Sequence, residues 1–173
     1  MKKQIIILPL LVLALSGCKS APSFMTPYEE FNFALSWGIN AQSSYDSKTK
    51  VLVKTTSVRT RSKDEYVTSY QFPNLLDVYN SVKDINPYSY SDTYDPFDGN
   101  PHMYTTPYEK YELTIGDKTI SIDQWPIGFD VNEKNNGLTA KGKKLMTLLC
   151  SIKDTIQNSE EWKALPDYEV LYK

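Results

Sequence analysis

Residues that could carry catalytic or metal chemistry are concentrated in one polar segment of the chain. Within it lie Asp92, Asp95, Asp98 and the single histidine of the sequence, His102. The three aspartates could offer oxygen ligands to Ca²⁺, but a spacing of three differs from the alternate-residue carboxylates of an EF-hand loop. Asp-Pro and Asp-Gly pairs are also common turn formers. We therefore expect a solvated loop, with no metal and no cofactor.

Nucleophilic chemistry has little support. No Gly-x-Ser-x-Gly elbow is present, and His102 would have to serve as the only imidazole base. Cys150 lies in the apolar run Leu148–Ile152, which favours a small buried cysteine on a helix over a reactive thiol. A pair of carboxylates for glycoside hydrolysis stays open, because only three-dimensional separation identifies such a pair. The chain is more consistent with binding than with catalysis.

Aromatic side chains supply the best candidates for a contact surface. Tyrosine and tryptophan offer large contact area at a low cost in conformational entropy. Several of them lie in or beside the segment 88–108, and others lie on the connection 124–130. An alternative is that these rings cover the edge and the end of the core. The candidate binding residues are Tyr90, Tyr94, Phe97, Tyr104, Trp125 and Phe129.

The amino-terminal residues have the pattern of an export signal. Lys2 and Lys3 precede an apolar run, Ile5 to Leu15, which is too short to cross a bilayer as a helix and contains Pro9. Small residues and a cysteine close it at Leu15-Ser16-Gly17-Cys18. This ending resembles the lipobox of bacterial lipoproteins. The resemblance implies diacylglycerol on the Cys18 thiol, removal of residues 1–17 and attachment to a membrane; an ordinary signal cleavage site is the alternative.

The resemblance also implies a location in the cell envelope. Lys19 follows Cys18 where an aspartate would resemble an inner-membrane retention signal. The outer membrane is therefore favoured in a double-membraned cell, and the outer face of the plasma membrane in a single-membraned one. Cys18 is the predicted lipidation site. With Cys18 acylated, Cys150 has no cysteine partner, so we expect no intramolecular disulfide.

Composition limits the remainder of the chain to one acidic domain. Loss of Lys2 and Lys3 with residues 1–17 changes the formal charge from −2 to −4 and leaves 156 residues, a length typical of a single domain. The charge argues against nucleic acid as a partner, since phosphates require a clustered basic surface. We expect a signal peptide at 1–17, a lipidated tether at 18–28 and a single domain at 29–173.

Hydrophobic periodicity predicts an α+β fold. Alternation or β-branched composition predicts strands at 31–37, 51–56 and 65–70 and a hairpin at 111–122, and 168–172 could add an edge strand. Three-to-four spacing predicts two amphipathic helices, at 73–85 and at 138–158, with Thr139 as a cap. Both would pack on one face of an antiparallel sheet. Strands followed by a helix occur twice, which suggests a loose duplication that no residue-level repeat supports.

These observations lead to one functional expectation and two alternatives. The leading one is a membrane-anchored, non-enzymatic module that binds an envelope protein, a secreted toxin or enzyme, or glycan. The first alternative is a carboxylate-dependent envelope hydrolase using residues such as Asp92, Asp95 or Asp98. The second is a structural envelope lipoprotein.

Overall fold

A computed structural model describes residues 22–56, 64–98, 107–134 and 137–167. It contains one six-stranded antiparallel sheet, with three α-helices. In chain order the elements are β1 (Ala34–Gly38), β2 (Ser43–Asp46), β3 (Val51–Thr55), β4 (Glu65–Ser69), α1 (Leu75–Ile85), β5 (Tyr108–Ile115), β6 (Lys118–Pro126), α2 (Ala140–Gln157) and α3 (Glu160–Lys163). Across the sheet the strand order is β4-β3-β2-β1-β5-β6. The predicted α+β class is therefore confirmed.

Most predicted elements are present. β3 and β4 pair antiparallel, as do β5 and β6, and α1 and α2 lie where the spacing of apolar residues places them. β1 begins at Ala34 rather than at residue 31, although Phe31 and Phe33 are buried before it. β6 continues to Pro126, so the strand includes the first three residues of the predicted connection 124–130. The strand predicted at 168–172 lies outside the described residues.

Strand β2, Ser43–Asp46, was not predicted from the sequence. Its composition is Ser-Ser-Tyr-Asp, so Tyr45 is its one large apolar residue, and no alternating pattern marks it as a strand. Main-chain pairing to β1 on one side and to β3 on the other holds it in the sheet. The first half of the chain thus contributes four strands before α1, and the second half contributes two before α2. The two halves differ in strand number.

The sheet has one covered face and one open face. Alternate residues of the central strands are buried on the helix side, with Leu35, Tyr111 and Leu113 fully enclosed. Small or polar residues occupy the other face; Ser36, for example, pairs with Ser44 on one side and Glu112 on the other. α1 buries Val78, Val82 and Ile85, and α2 buries a longer stripe against the same side. Both helices therefore cover one face, as predicted.

Helix α2 begins at a cap and a close backbone approach. The Thr139 hydroxyl accepts a hydrogen bond from the Gly142 amide at 2.8 Å, which confirms the predicted cap. A Cβ on Gly142 would lie 2.1 Å from the Pro96 carbonyl oxygen. Glycine therefore allows the segment 92–98 to lie directly on the first turn of α2.

The segment before residue 29 belongs partly to the fold. Phe24 is 8% exposed, and its ring lies 6.1 Å from that of Tyr79 on α1. The Tyr79 hydroxyl donates to the Thr26 carbonyl at 3.1 Å, and the Asn86 side chain donates to the Pro22 carbonyl at 3.1 Å. The packing seen in the described residues thus begins at residue 22, inside the segment 18–28 for which a tether is predicted.

Candidate functional site

The aromatic residues predicted on the 124–130 connection form a packed cluster. Trp125 is 2% exposed; its ring stacks on Phe97 with centroids 5.7 Å apart and meets Phe129 edge-on at 4.9 Å. Phe97 and Phe129 are themselves half-buried, with centroids 5.5 Å apart. Trp125 is therefore a core residue rather than a surface contact, and only parts of Phe97 and Phe129 reach the surface.

Tyr90 and Tyr94 fix the adjoining segment to α2. Tyr90 is 4% exposed, its ring lies 4.9 Å from that of Tyr94, and its hydroxyl donates to the Lys141 carbonyl at 3.1 Å. The Lys141 ammonium stands 4.1 Å from the Tyr90 ring centroid, within range of a cation–π contact. Burial raises the pKa of Tyr90 to about 12. A binding role for the exposed parts of Tyr94, Phe97 and Phe129 stays a prediction; Tyr104 and His102 lie outside the described residues.

The aspartates of this segment serve different local partners. Asp92 is paired with Lys118 of β6, and the Asp95 carboxylate accepts the Phe97 amide at 3.0 Å. The Asp98 main-chain amide donates to the Gly137 carbonyl at 3.0 Å. Among the residues that the structure describes, no three His, Cys, Asp or Glu side chains stand together as a metal site would require.

A buried polar cluster joins α2 to β5. The Lys153 ammonium lies 2.7 Å from the Glu109 carboxylate and 3.0 Å from the Tyr111 hydroxyl, which donates to the same Glu109 oxygen at 2.8 Å. Tyr111 is fully buried and Glu109 is 8% exposed. This cluster was not predicted from the sequence, because Glu109 and Lys153 are 44 residues apart and each looks like an ordinary surface charge.

The titration of this cluster argues against nucleophilic chemistry. Burial raises the pKa of Tyr111 far above its ordinary value. Burial likewise raises the pKa of Cys150 to about 11, despite the nearby Lys153 ammonium, which favours the thiolate. Both groups are protonated at neutral pH, and a thiol is a far weaker nucleophile than a thiolate. The cluster can hold α2 on the sheet, but it offers no activated nucleophile.

A polar groove of about 370 Å³ runs along α2 beside Cys150. Hydroxyl, amide and carboxylate groups line it, an inventory suited to hydrogen bonds with a polar ligand. The lining includes Asn132, Ser151, Asp154, Thr155 and Asn158.

The two outer edges of the sheet differ. Along β6, residues 92–94 add a short parallel contact: the Tyr94 amide donates to the Ser121 carbonyl at 2.9 Å, and the Ser121 amide donates to the Asp92 carbonyl at 2.7 Å. No described residue pairs with the outer edge of β4. An edge strand without a partner presents unpaired main-chain groups to which another strand can bond.

The alternation of hydrogen bonds along β4 shows which of its main-chain groups face outward. Tyr70 donates to the Lys50 carbonyl and Thr56 to the Asp64 carbonyl, so the even-numbered residues of β4 bond to β3. The amides and carbonyls of Glu65, Val67 and Ser69 consequently point away from the sheet. Val67 is 65% exposed on the open face. β4 contains no lysine, proline or bulge of the kind that protects many sheet edges.

Comparisons with known proteins identify no relative of this chain. No protein-family model, curated protein or solved structure matches it. Within the described ranges, no helix has the length and apolar character needed to span a bilayer.

Proposed function

We propose that this chain is an exported lipoprotein, acylated at Cys18, whose domain is a non-enzymatic module that binds another protein of the cell envelope. The Leu15-Ser16-Gly17-Cys18 pattern behind a basic start and an apolar run supports the acylation. In a double-membraned cell the outer membrane is the favoured location, since Lys19 rather than aspartate follows the cysteine.

One observation carries the binding proposal: among the described residues, none pairs with the outer edge of β4. A strand added there would bond to the outward main-chain groups of Glu65, Val67 and Ser69, while the exposed Val67 side chain would contact alternate residues of the partner. The partner that fits is an extended segment of an envelope protein. The covered edge of β6 offers no such groups at Ser121, because residues 92–94 already bond there.

Charge pairing favours binding over hydrolysis. Several carboxylates of the described residues are paired with lysines: Glu109 with Lys153, and both Glu112 and Asp123 with Lys110 at 3.0 and 3.2 Å. Among the three aspartates considered for hydrolysis, Asp92 pairs with Lys118. These partners raise the pKa of Lys110, so its ammonium persists beside the two carboxylates. A glycosidase needs one carboxyl group that holds its proton, and a lysine partner favours the ionised form.

The groove along α2 supports a second candidate, glycan binding. Its hydroxyl and amide groups could bond to sugar hydroxyls. Titration of the domain with soluble cell-wall fragments, followed by NMR, tests this candidate: shifts at Ser151 and Asn158 that disappear in Asp154→Ala would support it, and no shift would exclude it.

Strand addition is tested by changing the outward amide of Val67. Val67→Pro removes this donor without removing a bond to β3, whereas Val67→Thr keeps both the donor and a β-branched side chain. In affinity capture from envelope extracts, we expect one protein to be retained by the native domain and by Val67→Thr. Val67→Pro should reduce its recovery about tenfold or more.

Two controls complete this experiment. Val67→Lys places a charge on the same edge and should also prevent capture if the Pro variant is poorly folded. Thermal unfolding of each variant reports whether the fold is intact. Equal recovery by all folded variants would contradict binding at β4.

A further inference from the structure

The amino-terminal segment that follows the proposed lipidation site is fixed to α1. Pro22 and Thr26 each accept a hydrogen bond through the main-chain carbonyl, from Asn86 and Tyr79 respectively. Phe24, between them, is buried in the core. The position of this segment therefore fixes which surface of the domain stands nearest to Cys18.

The connection between the lipid and this surface is short. Cys18 precedes Pro22 by four residues, which span at most about 14 Å when fully extended. The polar layer on each side of a bilayer is roughly 5 to 8 Å thick. A domain acylated at Cys18 is consequently held with α1 and residues 22–28 beside the membrane surface.

Three of the six exposed large apolar side chains among the described residues lie at this place. Met25 is 81% exposed, Leu76 50% and Tyr28 40%. Tyr79 lies close to all three. Its ring is 5.4 Å from that of Tyr28, and its hydroxyl donates to the carbonyl of Thr26, the residue after Met25. Leu76 lies one helical turn before Tyr79 on α1. We call Met25, Tyr28 and Leu76 the anchor-side patch.

We propose that the anchor-side patch inserts into the interfacial layer of the membrane that holds the Cys18 acyl chains. This inference rests on the proposed acylation and adds an orientation to it. Tyr28 has the amphipathic character of residues that settle at headgroup level. The open face of the sheet, on the side opposite to the helices, is then directed away from the membrane and leaves Val67 accessible to a partner.

Charges around the patch indicate which force drives the contact. Lys83 lies over the Tyr79 ring at 5.4 Å and could reach a lipid phosphate. Glu29, Glu30 and Asp77 are exposed on neighbouring positions and would be repelled by anionic lipid. Insertion therefore depends on apolar burial and requires no anionic headgroup.

A fluorophore quenched by nitroxide-labelled lipid tests this orientation. The full chain, processed and acylated in cells, carries Cys150→Ala and either Leu76→Cys or Val67→Cys, and is placed in phosphatidylcholine vesicles. Both positions are exposed, but Val67 lies on the opposite face of the sheet. We expect severalfold stronger quenching for the label at position 76. Equal quenching at the two positions would overturn the proposal.

Two further measurements separate this proposal from the acylation on which it rests. Mass spectrometry of the purified chain establishes whether Cys18 carries acyl groups; an unmodified Cys18 overturns both. With acylation established, Met25→Ser should reduce quenching at position 76, and added phosphatidylglycerol should not strengthen it. Quenching that requires anionic lipid would contradict insertion by the apolar patch.

Discussion

The ammonium of Lys153 on α2 lies 2.7 Å from the carboxylate of Glu109 on β5, and the Tyr111 hydroxyl bonds to both. The Glu109 and Lys153 side chains are 10% and 19% exposed. This contact fixes the last half of α2 over the centre of the sheet. A buried charge without its partner is strongly unfavourable. Replacing only Glu109 or only Lys153 should therefore destabilise the fold.

Lys153→Met should lower the free energy of unfolding by about 3 kcal/mol, because it leaves the Glu109 carboxylate without its cation. Urea denaturation at neutral pH measures this change. The double variant Lys153→Met/Glu109→Gln removes both charges and should recover part of the loss. If the double variant were less stable by the sum of the two single changes, the two residues would be energetically independent.

Gly142→Ala should destabilise the domain by about 2 kcal/mol through overpacking. The added Cβ would meet the Pro96 carbonyl oxygen at 2.1 Å, so α2 and the segment 92–98 must separate. Thermal unfolding provides the measurement, and Lys144→Ala at an exposed position of the same helix is the matched control. Equal unfolding temperatures in the two variants would show that the backbone around Pro96 can move away from residue 142 without loss of stability.

Phe97→Ala should lower the free energy of unfolding by about 2 kcal/mol, less than for a fully buried phenylalanine, because part of the ring is exposed. Its ring stacks on Trp125 and meets Phe129, so truncation opens a space beside a core tryptophan. Denaturant unfolding followed by tryptophan fluorescence reports this change. Native stability in Phe97→Ala combined with loss of a partner would instead support the surface role expected from the sequence.

Stability should fall in alkaline solution. The folded-state pKa of Tyr90 is about 12, above the ordinary value of 10, so its contribution is fully present below pH 10 and is lost as the pH rises towards 12. Burial also raises the pKa of Tyr45 and Tyr70, which add to the same decline. Tyr90→Phe should make the fall in free energy of unfolding shallower when urea titrations at increasing pH are compared. An equal slope in both proteins would contradict this assignment.

The fold was predictable wherever apolar residues follow a period. Apolar and polar residues alternate over 111–115 and 119–122 of the β5–β6 hairpin, and α2 has a threonine cap, so both could be placed from sequence. β2 could not, because Ser43, Ser44 and Asp46 are stabilised there by pairing with strands on both sides rather than by their own propensity. Missing β2 also concealed the strand order, and with it the position of β4 at an edge.

The candidate site was less predictable than the fold. Aromatic residues in polar segments looked like surface contacts, yet Tyr90 and Trp125 are buried because their loops fold back over the core. Whether a loop residue faces inward depends on contacts such as Gly142 with Pro96, which sequence spacing does not encode. Which main-chain groups of β4 face outward can be deduced only from the pairing of β3 with β4, and sequence alone does not give that register.

The most direct measurement of the central claim is site-specific photo-crosslinking in cells that produce the acylated chain. A photoreactive amino acid replaces Val67 on the proposed binding edge, or Thr119, an exposed residue on β6. We expect a discrete crosslinked product with one envelope protein from position 67 and none from position 119. No product from position 67, or the same product from both positions, would contradict recognition at the edge of β4.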